Sequence, residues 1–299
     1  MQAVMKSSKI RTGLQFARQF SRSPLAVIGL VLITLIVLMA VFAPYLSPQN
    51  PYDLMQLDIM DGRMAPGSES ATGFTFLFGS DDQGRDMLSA ILYGLRISLI
   101  VGLGSAALAF IIGTAFGLTA AYVGGRIENA MMRLVDLQLS FPTILSALLI
   151  LALLGKSVGN VVFAIVLVEW ATYARTARGA ALTELRREYV EAARSLRLPH
   201  RNILFHQLLP NCLSPLVVLL TMQVARAITL EATLSFLGLG VPVTEPSLGL
   251  LIASGYEFML SGTYWIALFP GIALLVTIFA INLVGDRLRQ LFDPKASRR

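Results

Sequence analysis

Cysteine and charge are scarce in this chain of 299 residues. The single cysteine, Cys212, allows no internal disulfide and excludes a disulfide-stapled scaffold. Asp, Glu, Lys and Arg make up 14% of the residues, where an ordinary soluble domain carries about 25%. Histidine is rarer still. His200 and His206 lack the Cys or carboxylate companions that would complete a metal site. No serine, histidine and acid constellation suggests hydrolysis. Gly155-Lys156-Ser157 matches the end of a nucleotide phosphate loop, but the glycine needed five residues earlier is Ile150. The stretch reads instead as an external turn, and any ATP with its magnesium must sit on another subunit.

Apolar residues fill the space: they are 55% of the chain, and the mean hydropathy is +0.69. A soluble protein so composed would expose large greasy patches and aggregate. The bilayer is therefore the expected solvent. Its core of about 30 Å needs roughly 20 apolar residues in a helix. Six stretches qualify: 24–46, 97–125, 137–155, 157–174, 213–239 and 258–285. Glu169 interrupts the fourth; Arg226 and Glu231 interrupt the fifth. The first stretch has a small-residue site at Val41-Phe42-Ala43, but it is too long for a signal-peptide core and Pro44 follows the site. It reads as a retained helix. The fold class expected is all-α, a polytopic membrane protein with six transmembrane helices.

Basic residues orient these spans. With both termini in the cytoplasm, 19 of the 24 Lys and Arg fall on the inner side. The others are Arg63, Arg85, Arg96, Lys156 and Arg226. That distribution also accounts for the net charge of +6 without any nucleic-acid partner. The chain divides into a cytoplasmic tail (1–23), a first transmembrane helix (24–46), an external loop (47–92), a five-helix core (93–288) and a cytoplasmic tail (289–299). Within the core lies a cytoplasmic segment, 175–211.

In that segment, the pattern predicts one helix over 182–196, with Leu182, Leu185, Tyr189, Ala192, Ala193 and Leu196 near one face. A second short helix is expected over 200–209, ending before Pro210. A short amphipathic helix at a membrane base has two candidate partners, lipid headgroups or a groove on another protein. The pattern alone leaves both open.

Glu188-Tyr189-Val190-Glu191-Ala192-Ala193-Arg194-Ser195-Leu196, followed by Leu209-Pro210-Asn211, resembles the EAA loop of ABC-type importer permeases. Residues 23–44 resemble the first helix of the dipeptide/oligopeptide/nickel permease group. Phe78-Gly79-Ser80-Asp81-Asp82-Gln83-Gly84-Arg85-Asp86 is similar to that group's external motif, and residues 93–99 follow it as the group's pattern does. Glu231-Ala232-Thr233-Leu234-Ser235-Phe236-Leu237-Gly238-Leu239-Gly240 is similar to its EASLSFLGLG signature. Residues 282–294 match its C-terminal end. The resemblance runs in order along nearly the whole chain and points to the "C" type of the two permease subunits.

The resemblance implies a type I ABC importer permease fold in the bacterial cytoplasmic membrane. It implies a homologous "B" permease, two cytoplasmic ATPase subunits and an extracytoplasmic solute-binding protein as partners. Short peptides are the first solute expected, with nickel or another small solute as the alternative. A non-transporting scaffold or receptor subunit is the alternative from a different class. Glu188, Glu191, Ala192, Ala193, Leu209 and Pro210 would belong to the coupling loop, with Glu191, Ala192 and Ala193 as its docking surface. Gly79, Asp81, Gly84, Arg85 and Asp86 would shape an external gate or a seat for the binding protein, or form only a turn. Two departures stand out. Arg197 replaces the usual turn glycine, which shifts the turn to Leu198-Pro199, and Gln207 replaces an apolar residue.

Charge inside a span is expensive and is normally paired or faces a cavity. Arg226 and Glu231 are about 140° apart around a helix and cannot easily meet. Arg226 is therefore expected to reach Glu169 and fix packing, or else Glu169, Arg226 and Glu231 line the transport path. Gly113/Gly117 and Gly102/Ala106 read as close helix-packing positions.

Overall fold

The computed structural model describes residues 18–70 and 73–292. Most of the N-terminal tail, the end of the C-terminal tail and Asp293-Pro294 lie outside the described residues. Ten helices carry the architecture. They are α1 (Pro24–Val41), α2 (Ala43–Leu46), α3 (Met87–Val123), α4 (Gly125–Ser140), α5 (Thr143–Leu154) and α6 (Val158–Glu184). The rest are α7 (Glu188–Ser195), α8 (His200–Phe236), α9 (Leu248–Glu257) and α10 (Trp265–Phe292). Among the described residues the only β pairings are two isolated bridges in the external segment.

Five of these helices, α1, α3, α6, α8 and α10, are long and apolar enough to cross a membrane; the pair α4–α5 makes a sixth span if counted as one. That pair corrects the expected straight third span over 137–155, because α4 and α5 meet at 89°. The break falls at Phe141-Pro142, where Phe141 is extended (φ −87°, ψ 140°). Proline disfavours the helical conformation in the residue before it and cannot donate to the helix. α5 alone, with 12 residues, rises only about 18 Å.

Helix α3 has 37 residues and begins at Met87, capped by the Asp86 side chain on Ser89 N. At about 55 Å it outruns the hydrocarbon core at one or both ends. The helix thus starts six residues inside the stretch read as external loop. In its C-terminal half α3 packs directly on α6. A Cβ placed on Gly113 would lie 2.3 Å from the Trp170 carbonyl oxygen, and one on Gly117 would lie 2.2 Å from that of Ala174. Small residues let the two backbones touch, which is how helices associate where lipid removes the hydrophobic drive.

The cytoplasmic segment also departs from the expected single helix over 182–196. α6 runs on to Glu184, the chain turns through Leu185–Arg187, and α7 starts at Glu188. Pro210 does not begin a new helix. α8 is continuous through it, with a π turn over Ile203–Leu208 just before it. Leu209 N–H bonds Leu204 O, one residue farther back than in an α-helix. Widening the turn there makes room for the Pro210 ring, which would otherwise strike the carbonyl of the preceding turn.

Candidate functional site

The segment read from the sequence as cytoplasmic forms a foot, α7 with its two turns. Val190 and Ala193 are buried against Ile203 of α8. The Tyr189 hydroxyl donates to Glu184 Oε2 (2.9 Å) and accepts from Asn211 Nδ2 (3.2 Å). After α7 the chain closes with two reverse bonds, Leu198 N–H to Ala193 O (3.1 Å) and Arg197 N–H to Arg194 O (2.9 Å). Arg197 sits between them at φ +52°. This is the left-handed helix cap that glycine usually fills. The turn therefore stays at Arg197 rather than moving to Leu198-Pro199, which corrects the expectation from the sequence. Tyr122, near the C-terminal end of α3, ties the foot down: its hydroxyl meets His200 Nδ1 at 2.6 Å, and the Arg194 guanidinium lies 5.8 Å above its ring.

Burial divides the expected docking residues. Glu188, Glu191 and Ala192 are exposed. Ala193 is 4% exposed and faces inward, so it is not on the docking surface. Leu196, expected on the packed face, is instead 74% exposed. It lies one turn beyond Ala192 on the exposed face of α7, because the break at Leu185–Arg187 gives α7 a different face from that of one continuous helix over 182–196. Leu209 is half-buried and Pro210 exposed at the base of the foot.

Two ion pairs brace α4 on the same side: Arg175 to Asp136 at 2.5 Å and Arg178 to Glu128 at 2.6 Å, both across to the C-terminal part of α6. The lone charges of the helix interior meet where expected: Arg226 Nε lies 3.3 Å from Glu169 Oε1. Glu169 is buried and also accepts from Gln223 Nε2, while Arg226 is 55% exposed. Glu231 keeps apart from both. Fully buried, it accepts from the hydroxyls of Ser98 on α3 (3.0 Å) and Ser235 on α8 (2.8 Å).

The external motif is a buried knot. Asp81 and Arg85 form a 2.6 Å ion pair with side chains at most 1% exposed. Arg85 also donates to Val243 O (3.1 Å), and Trp265 Nε1 donates to Ser80 O (3.2 Å). Gly84 turns at φ +76°, and a Cβ there would lie 2.1 Å from Asp58 O. Only glycine fits both demands. Gly79 (φ +81°) lies at a similar turn. Burial raises the Asp82 and Asp86 carboxyls above their ordinary value of 3.8; the neighbouring Asp81 adds to it at Asp82, and Ser89 opposes it at Asp86. Asp81 and Arg85 thus hold the loop at Val243 in place and cannot themselves touch a docked protein.

Comparison with known proteins assigns the family. A model described as "binding-protein-dependent transport system inner membrane component" matches residues 113–298, and one for the N-terminal transmembrane domain of oligopeptide transport permease C matches residues 13–66. The chain belongs to this permease family. It is 38% identical over 282 residues to a di/tripeptide transport system permease protein of Pseudomonas aeruginosa, covering 94% of this chain and 91% of that one. The dipeptide transport system permease protein of Escherichia coli is also 38% identical over 282 residues, covering 94% and 92%. In structure, the chain is similar to a chain of the inward-facing MetNI methionine ABC transporter, with a TM-score of 0.57 at 18% identity, over 69% of this chain and 98% of that one. That likeness shows the fold. The permease is a multi-pass component of the inner membrane by family.

Proposed function

We propose that the permease is one of two paired membrane subunits of an ATP-driven importer of short peptides. Its relatives in two bacteria are named for di- and tripeptide or dipeptide transport. The observation that carries the reading is the foot. Glu188, Glu191, Ala192 and Leu196 form an exposed surface on a short helix anchored through Val190 and Ala193. Two cytoplasmic ATPases, each holding ATP and magnesium, would grip this surface and its counterpart on a homologous "B" permease. A solute-binding protein would deliver peptide from outside, with both termini of this chain in the cytoplasm. Nucleotide shifts the assembly between outward and inward access only by binding one state more tightly, and the foot transmits that difference.

In the assembled complex with its binding protein, Ala192→Arg places a charged side chain on the docking surface without touching the buried anchor. ATPase subunits are expected to be lost on purification, and uptake of tritiated dipeptide is expected to fall at least tenfold while the subunit stays in the membrane. Uptake at the unaltered level with Ala192→Arg would remove the foot from coupling. Uptake of nickel in place of dipeptide by the unaltered complex would replace the solute.

A further inference from the structure

At the break between α4 and α5 lies a polar cavity of about 170 Å³. Gln138, Thr143, Thr172, Glu169 and Arg226 are among its walls. Glu169 stands 11 residues into α6 and Arg226 10 residues from the outer end of α8. At 1.5 Å per residue both lie about 15–17 Å below the outer ends of their helices, near the middle of a hydrocarbon core about 30 Å thick.

The carboxylate of Glu169 is 3% exposed as a residue, and its Oε1 has no hydrogen-bond partner. Gln223 serves only Oε2. Arg226 lies 3.3 Å away through Nε but turns more than half of its side chain outward. A buried acceptor without a donor is costly, more so when charged. Arg226 is itself anomalous, because a guanidinium facing lipid at mid-depth is costly. The face of α8 that carries it, with Thr229 and Thr233 one and two turns beyond, suits a water-filled path or a partner subunit better than acyl chains.

We infer that this cavity receives a primary ammonium group of the transported solute, with Glu169 as its counter-ion. This rests on the peptide reading above, in which the α-amino end of a short peptide supplies that group. An ammonium has three N–H donors and no acceptor. One donor satisfies Glu169 Oε1; the side-chain oxygens of Gln138, Thr143 and Thr172 are acceptors for the others. The volume suits the group: at about 30 Å³ per water, it has room for an ammonium with its carbon and about three waters. Arg226 sits at the rim, where it competes with the ammonium for the carboxylate at 3.3 Å and offers its outer face to a carboxylate that follows.

The test uses the purified complex with its partner subunits in nanodiscs, without binding protein. The probe is a dipeptide with a photoreactive diazirine on its first side chain, carrying either a free or an acetylated α-amine. Labelled residues are mapped by mass spectrometry. The free-amine probe is expected to label the segments around Thr143 and Thr172 about tenfold more than the acetylated one. Glu169→Gln is expected to erase that difference. Arg226→Gln is expected to keep it or enlarge it, because the carboxylate loses its competitor. Equal labelling by both probes overturns the site, as does a difference that survives Glu169→Gln. Equal loss in Glu169→Gln and Arg226→Gln reduces the pair to a packing device and also overturns it. If Glu169→Gln fails to assemble, Arg226→Gln and Thr172→Val decide: retained selectivity in the first with weakened labelling in the second supports the site, and any other pattern overturns it. Uptake of the tritiated dipeptide by the full transporter is measured separately. Labelling without uptake overturns the peptide reading alone; uptake without labelling overturns the ammonium site alone.

Discussion

Arg197 holds a backbone conformation that side chains resist. At φ +52° its Cβ crowds its own backbone, and the left-handed region costs a non-glycine residue roughly 1–2 kcal/mol. The two reverse hydrogen bonds that close α7 hold it there. Arg197→Gly is therefore expected to stabilise the foot by about 0.5–1 kcal/mol, since the looser unfolded chain offsets part of the relief. Amide exchange of residues 188–203 measures this directly. Unchanged or weaker protection in Arg197→Gly shows that the side chain, not the backbone, governs the turn. A second residue-scale effect depends on pH. Asp82 has its carboxyl raised above 3.8 by burial and by Asp81, and its Oδ1 is buried without a hydrogen-bond partner. A carboxyl that titrates higher in the folded state than in the unfolded one binds its proton better when folded. Stability from this group is present at low pH and is lost as pH rises from about 3.8 through the raised value. Asp82→Asn should match the unaltered protein near pH 4 and exceed it at pH 7 in thermal unfolding. A gap that stays constant with pH would contradict this. The departure at Arg197 was legible in the sequence; its consequence was not. A pattern shows that glycine is missing but not whether neighbouring bonds hold the substitute in the same conformation.

At the scale of single helices, contact distance between backbones is the controlling quantity. Gly113 and Gly117 lie on one face of α3, and that spacing alone marked them for close packing. The partner helix was not legible, because a small residue advertises an approach without naming what approaches. Gly117→Val is expected to force α3 from α6 and destabilise the subunit by about 1–3 kcal/mol. The comparison is Gly104→Ala on the same helix, where a Cβ meets nothing within 4 Å. That change should be neutral or slightly stabilising. Melting temperature and yield of the purified subunit report both, and equal effects would mean that the α3–α6 contact is not tight. Three proline-bearing stretches were read unevenly for a related reason. Pro199 interrupted the pattern and marks a real turn. Pro142 sits inside an uncharged run, so hydropathy joined two helices that meet at 89°. Pro210 marks no boundary, since the π turn before it absorbs the clash within a continuous helix. Hydropathy registers solvent, not direction, and cannot separate these cases.

For the whole molecule, orientation is set by where positive charge stays. Arginines crowd the foot and the α4–α6 brace, and crossing hydrocarbon would cost each of them several kcal/mol (about 2.5–3.5 on insertion scales). The turn between α5 and α6 carries only Lys156, and the knot of 58–86 pairs its buried Arg85 internally. The two ends of the molecule therefore differ in kind: one presents an exposed cationic foot, the other an acid-rich knot whose Arg85 is paired inside. In a variant carrying Ser in place of Cys212, Lys156→Cys is expected to react with a membrane-impermeant maleimide in intact spheroplasts. Arg201→Cys, exposed at the start of α8, should react only after the membrane is opened. The reverse labelling would put the foot on the outside, out of reach of any cytoplasmic ATPase, and the coupling role of Glu191 and Ala192 would fall with it. Labelling of both sites in intact spheroplasts would point to mixed orientation, which the strong inner-side bias of basic residues argues against.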